Sequence, residues 1–183
     1  MSGFFFAFIA VLLASLGGRD QLLVAQLSER QGPRIALLVV AVAMGAAMAA
    51  LWAWLALALD MRLPPNARQI FAGIALVLAG GEALVLSPRK AAAEPTRSLF
   101  AFALVLGAIQ VTDAARFLIL ALALLTAAPV PVALGGAAGT ALALGAAWSA
   151  PEFTLHPLMR RIRRGAGAVL LVCGTVLAAR AIG

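Results

Sequence analysis

The stretch that decides the fold is FFFAFIAVLLASLGGRDQLLVAQL at residues 4–27, an apolar run of span length with Gly17-Gly18-Arg19-Asp20-Gln21 set near its middle. A helix crosses the hydrocarbon layer with about 20 consecutive apolar residues. A charge near the centre of such a helix costs about 2.5 to 3.5 kcal/mol or more on insertion scales, so Arg19 and Asp20 are read as candidates for function before they are read as packing. Beside them, Gly17 and Gly18 remove side-chain bulk and weaken the helix, which predicts a break or a close approach at that point.

The rest of the chain has the same character. Further hydrophobic segments run over residues 35–59, 70–86, 99–127, 130–148 and 165–182, giving six predicted membrane helices. Hydrophobic residues make up 64% of the 183 positions, close to what six spans need, while charged residues make up only 11% against roughly 25% in soluble domains. This composition excludes a soluble enzyme, a disordered regulator and a nucleic-acid-binding module. The bilayer is the expected partner, and nucleic acid is not. Gly32-Pro33, Pro64-Pro65, Pro88, Pro129, Pro151 and Pro157 fall between segments and, with Pro131 at the start of the fifth, punctuate them. No Lys or Arg precedes Phe4, so the first segment is expected to be a retained span, not a secretion signal. A single cysteine, Cys173, can build neither a disulfide within the chain nor a thiolate metal site.

Basic residues orient the predicted spans. Arg30, Arg34, Arg89, Lys90, Arg97, Arg160, Arg161, Arg163 and Arg164 fall on one side, and Arg62, Arg68 and Arg180 on the other. The positive-inside bias places the loops at 28–34, 87–98 and 149–164 in the cytoplasm and both termini in the periplasm of a bacterial inner membrane. The net charge of +7 thus reads as a topology signal.

The second half resembles the first at an offset of about 95 residues. Ala72-Gly73 through Gly80 matches Ala166-Gly167 through Gly174, and Pro65-x-x-Arg68-x-Ile70 matches Pro157-x-x-Arg160-x-Ile162. Two three-helix repeats are predicted, 1–90 and 91–183, joined by the linker at 87–98. Because three is odd, the halves enter the membrane from opposite sides, the inverted-repeat plan of many secondary transporters. Gly135-x-x-x-Gly139 predicts close helix packing.

The fourth segment carries its own polar cluster, Gln110, Thr112, Asp113 and Arg116, at a depth matching Ser15, Arg19, Asp20 and Gln21 in the first. On a continuous helix Gln110, Asp113 and Arg116 share one side, and Ser15 and Arg19 stand one turn apart on another. Two such sides facing each other make one polar chamber. Structural ion pairs, Arg19 with Asp113 and Asp20 with Arg116, are the plainer alternative. Glu82 reads as an interfacial residue near the end of the third span, and His156 as a loop residue. No nucleophile-base pair, phosphate loop or His/Cys cluster is present, so no enzyme is expected and no resident cofactor.

At these two clusters the sequence resembles the Golgi and bacterial manganese/calcium-proton antiporters of the lysine-exporter superfamily. That family carries two E-x-G-D-(K/R)-(T/S) motifs, one in the first and one in the fourth span of a three-plus-three inverted repeat. Ser15-Leu16-Gly17-Gly18-Arg19-Asp20-Gln21 occupies the first motif position, with the glycine and the basic residue kept and both acids missing. Gln110-Val111-Thr112-Asp113 occupies the second, with the aspartate kept and Gln110 where the glutamate belongs. The resemblance implies a cation-proton antiporter in which Asp113 and Asp20 are the metal-contacting carboxylates, with Asp113 also the proton carrier. Gln110, Gln21, Thr112 and Ser15 are then neutral ligands, and Arg19 and Arg116 pair with the carboxylates when the site is empty. The cargo it implies is Mn2+ or Ca2+, with protons as the coupling ion. Arg19, Asp20, Asp113 and Arg116 sum to zero charge, weaker for a dication than the family's acidic pattern. Two readings of other kinds therefore stand beside it: an exporter of an organic or anionic substrate held by the arginines, and a transport-incompetent structural or regulatory subunit. A homodimer, or a heteromer with a second member of the family, is compatible with either.

Overall fold

The computed structural model describes residues 2–85 and 97–182. The predicted linker at 87–98, with Arg89 and Lys90, falls almost wholly outside them. The described residues are all-helical, with no strand: α1 (Ser2–Ser15), α2 (Arg19–Gln31), α3 (Ile35–Asp60), α4 (Pro65–Val85), α5 (Leu99–Val111), α6 (Ala114–Thr126), α7 (Pro129–Ser149), α8 (Pro151–Leu155) and α9 (Pro157–Ile182). Each of α3, α4, α7 and α9 is long and apolar enough to cross a bilayer by itself. The pairs α1–α2 and α5–α6 reach that length only together, bent by 60° and 53° at their breaks. A 13-residue half rises about 20 Å, short of the roughly 30 Å hydrocarbon layer. The chain therefore has the four to six candidate spans of an integral membrane protein.

Proline starts helices here. Pro65, Pro129, Pro151 and Pro157 open α4, α7, α8 and α9, where the missing N–H would have had no partner in the helix. This corrects the expected loop at 149–164. Residues 151–155 form α8, and Arg160 to Arg164 lie in the opening turns of α9. A hydropathy window sees only the apolar part of a helix, whereas arginine is a good helix former and Pro157 supplies the start.

At α1 and α3 the packing is that of a membrane protein, with mostly small residues inside and large ones outside. α3 buries Leu37, Ala41, Gly45, Ala49 and Ala53, one every four residues. α1 buries Gly3, Ala7, Val11 and Ala14 while Phe5, Phe6, Ile9 and Leu13 are exposed. Where lipid is as apolar as leucine, association is driven by close backbone approach, which small residues permit. α4 and α9 form the most extensive pair. A Cβ added at Gly73 would stand 2.8 Å from the carbonyl oxygen of Gly174, and one at Gly80 would stand 2.5 Å from that of Gly167. As predicted, Gly135 and Gly139 let a helix come close: they receive the α1 backbone at Phe4 and Phe8. Trp148 ties the far end of α7 to the turn before α3, its Nε1 donating to the Arg34 carbonyl at 3.0 Å.

A buried charged centre at two helix breaks

The first break falls where Gly17-Gly18 predicts it. α1 ends at Ser15, and Gly17 takes φ +67°, a left-handed conformation suited to glycine. The Gly18 N–H returns to the Ser15 carbonyl at 2.8 Å. Gln21 then holds the turn. Its Oε1 accepts from the Gly17 N–H at 2.7 Å, and its Nε2 donates to the Ala143 carbonyl on α7 at 2.9 Å.

The second break departs from the sequence reading, which ran one helix over 99–127. α5 stops at Val111, Thr112 leaves helical geometry, and Asp113 caps α6 by accepting from the Ala115 N–H at 3.2 Å. Neither glycine nor proline is present. Asp113 offers the backbone a partner outside the helix, which is why aspartate favours caps over helix interiors. Gln110 and Asp113 thus lie on opposite sides of a break, as do Ser15 and Arg19, and the shared helical stripes expected of them do not exist.

Breaking a helix inside a membrane leaves orphan carbonyls at one half's end and orphan N–H groups at the next half's start. Charges answer both. Asp20 sits in the first turn of α2 and Asp113 at the start of α6, the positive ends of those helices. The Arg163 Nη1 donates to the Gly17 carbonyl beyond α1 at 3.0 Å. The Arg19 Nη2 donates to the Thr112 carbonyl at 3.1 Å and hydroxyl at 3.0 Å, and to the Ile109 carbonyl at 3.4 Å, beyond and within the last turn of α5.

Glu82 joins these two arginines. Its Oε1 accepts from the Arg19 Nε at 3.0 Å, and its Oε2 from the Arg163 Nη2. The side chains of Glu82 and Arg163 are each 4% exposed, and Arg163 also stands 3.8 Å from the Asp113 Oδ1. Glu82 is therefore not the interfacial residue the sequence suggested: α4 delivers it into the centre. The expected pairs Arg19–Asp113 and Asp20–Arg116 do not form among the described residues. Instead, the Asp20 Oδ1 accepts from the Gln21 N–H at 2.7 Å, and its Oδ2 from the Gln110 Nε2 at 3.2 Å.

Arg116 stands apart. It is fully buried, and its Nη1 donates to the Thr140 hydroxyl on α7 at 3.1 Å. Its Nε and Nη2 have no hydrogen-bond partner among the described residues, and neither do the Ser15 Oγ, the Gln110 Oε1 or the Asp113 Oδ1, which has only the Arg163 charge 3.8 Å away. All the candidate residues except Thr112, which is exposed, and Arg19, which is part-exposed, are buried. Three arginines, Arg19, Arg116 and Arg163, face three acids, Asp20, Glu82 and Asp113, so the enlarged centre is still neutral. Among the described residues no three His, Cys, Asp or Glu side chains gather into a group able to hold a metal ion. His156 is exposed, its Nδ1 accepting from the Leu158 N–H at 3.2 Å.

Arg163 was hidden in sequence by the basic run around it. Its spacing is the signal that finds it: Met159, Arg163, Gly167 and Gly174 are the buried stripe of α9, four or seven residues apart. Arg160, Arg161 and Arg164 are exposed. For Glu82, the signal is an acid two residues after Gly80 in an otherwise apolar helix.

No protein-family model, curated protein or solved structure matches the chain.

Proposed function

We propose that this protein is a secondary transporter of six spans, whose two halves, 1–90 and 91–183, form a three-plus-three inverted repeat and move around the charged centre. The observation that carries the reading is the pair of discontinuous spans, broken where their buried charges meet. Irregular backbone at membrane depth is tolerated where it is buried in protein or lines a pathway, and transporters use such breaks to hold substrate. The inverted repeat is supported by the way matched residues pair. Gly73 and Gly167 correspond in sequence, as do Gly80 and Gly174, and the close approaches are Gly73 with Gly174 and Gly80 with Gly167. A two-fold axis between α4 and α9 produces that exchange. Likewise, the first span packs on the fifth as the fourth packs on the second.

In this reading Asp113 carries the coupling proton, because its Oδ1 accepts no hydrogen bond and is held only by the Arg163 charge 3.8 Å away. The likeness to manganese/calcium-proton antiporters would make Mn2+ or Ca2+ the cargo, with Asp20 and Asp113 as ligands. Against a dication stand three arginines and an Asp20 whose two oxygens already accept hydrogen bonds. The termini are placed in the periplasm of a bacterial inner membrane by the arginine bias, from which the buried Arg163 must now be removed.

Ser15 tests the reading. Its side chain is buried at the first break, and Ser15→Cys in a Cys173→Ser background is a small change. A membrane-impermeant thiol reagent added to oriented vesicles should label it from both sides, in proportions that shift with an imposed pH gradient. Protection from both sides under every condition would mean that the centre never opens. It would favour a structural or regulatory subunit, a reading to which the Arg19–Glu82–Arg163 bridge lends weight.

A further inference from the structure

We infer that Arg116 is the binding residue for a monovalent planar oxyanion, a carboxylate or one of like shape, and so names the cargo class of the proposed transporter. The inference rests on the transporter reading and departs from its cation cargo. A guanidinium has one edge on which the Nε–H and one Nη2 hydrogen run parallel, and this edge matches the two oxygens of a carboxylate. On Arg116 the partners are divided along that line. Nη1 is held by the Thr140 hydroxyl, while Nε and Nη2, the two nitrogens of the matched edge, have no partner among the described residues.

Burial makes this costly. A buried charge without compensating hydrogen bonds is strongly unfavourable, and Arg116 is 0% exposed. Arg19 and Arg163, by contrast, both have carboxylate partners. Arg116 makes no ion pair within 4 Å among the described residues, and the Asp113 and Asp20 carboxylates act on it only through space, which leaves its Nε and Nη2 hydrogens without an acceptor and able to meet an incoming anion. Its surroundings are small: a Cβ added at Gly45 on α3 would stand 3.8 Å from the Arg116 Nη2 and 2.9 Å from the Thr140 Cγ2. Charge balance ties the anion to the proton. The centre is neutral with three arginines and three acids, so one anion leaves it at minus one, and one proton on a carboxylate restores neutrality.

The test is equilibrium binding without a gradient, so that it does not depend on transport. Purified full-length protein in nanodiscs is melted in rising concentrations of formate, acetate and nitrate, with chloride and tetramethylammonium salts as references, because a ligand of the folded state raises the melting temperature. Formate, acetate or nitrate should stabilise the wild type beyond chloride. Arg116→Lys, which keeps the charge and loses the edge, should weaken the apparent affinity at least tenfold, whereas the exposed Arg160→Lys should leave it unchanged. If Arg116→Lys does not fold, Gly45→Ala decides: its methyl would stand 2.9 Å from the Thr140 Cγ2, so Thr140, which holds the Arg116 Nη1, must shift and turn the matched edge, and the anion response should fall by a similar factor. An anion response absent from the wild type, or intact in the folded variant, overturns the inference. Such a result alongside two-sided labelling of Ser15→Cys would leave the transporter reading standing with another cargo. Anion binding alongside a centre closed to both sides would overturn transport alone.

Discussion

Glu82 is bonded to two arginines from different helices, Arg19 at the head of α2 and Arg163 in α9. Removing its charge leaves Arg19 with only carbonyl and hydroxyl acceptors among the described residues, and the buried Arg163 with the Gly17 carbonyl and the Asp113 carboxylate 3.8 Å away. Glu82→Gln should therefore destabilise the protein by about 3 to 5 kcal/mol, the usual scale when one partner of a buried pair is lost. Thermal unfolding in detergent measures the loss, and adding Arg163→Gln should recover part of it. Strictly additive losses would show that the two side chains act independently. At this scale the sequence disclosed which groups were out of place in a membrane, Arg19, Asp20, Gln110, Asp113 and Arg116, because each interrupts an apolar run. It did not disclose who pairs with whom. Pairing depends on the bend angles that aim each side chain, and a 60° break sends Arg19 to Glu82 and α5 instead of to Asp113.

The helices divide into straight ones set by composition and bent ones set by a few residues. Small residues govern how closely α4 and α9 approach. Gly80→Ala should cost about 1 to 3 kcal/mol, because the new methyl would stand 2.5 Å from the Gly167 carbonyl oxygen and overpack the seam. Its neighbour supplies the control. Nothing lies within 4 Å of a Cβ added at Gly81, so Gly81→Ala should be neutral or stabilise by up to about 1 kcal/mol through helix propensity. Equilibrium unfolding of the two variants in the same detergent compares them directly, and equal effects would mean that the seam is not tight. The first break was legible because two glycines spell it out, with Gly17 at positive φ. The second was not, because Thr112-Asp113 breaks a helix only by offering its backbone a side-chain partner, and aspartate in an apolar run reads first as a functional charge.

Across the whole molecule, alanines and glycines form the α1, α3, α4 and α9 seams, leucines and Ile119 fill the buried face of α6, and several of the charges collect where the two bent helix pairs meet. Hydropathy alone located the apolar segments that make up the four to six candidate spans, since bilayer thickness fixes their length. It could not give the true starts of α4 and α9, whose polar first turns lie outside any apolar window. A scaffold that needed only to pack would gain little from breaking two helices and burying Arg116 and Arg163, each of which carries an insertion cost. In the proposed reading, function at the centre accounts for that cost. The most direct measurement is flux in proteoliposomes: wild-type protein is reconstituted, a pH gradient is imposed, and proton movement is followed while Mn2+, Ca2+, nitrate and lactate are offered in turn. The account predicts proton movement coupled to one of these solutes and abolished by Asp113→Asn. Well-folded protein that moves neither protons nor any of the solutes would contradict it.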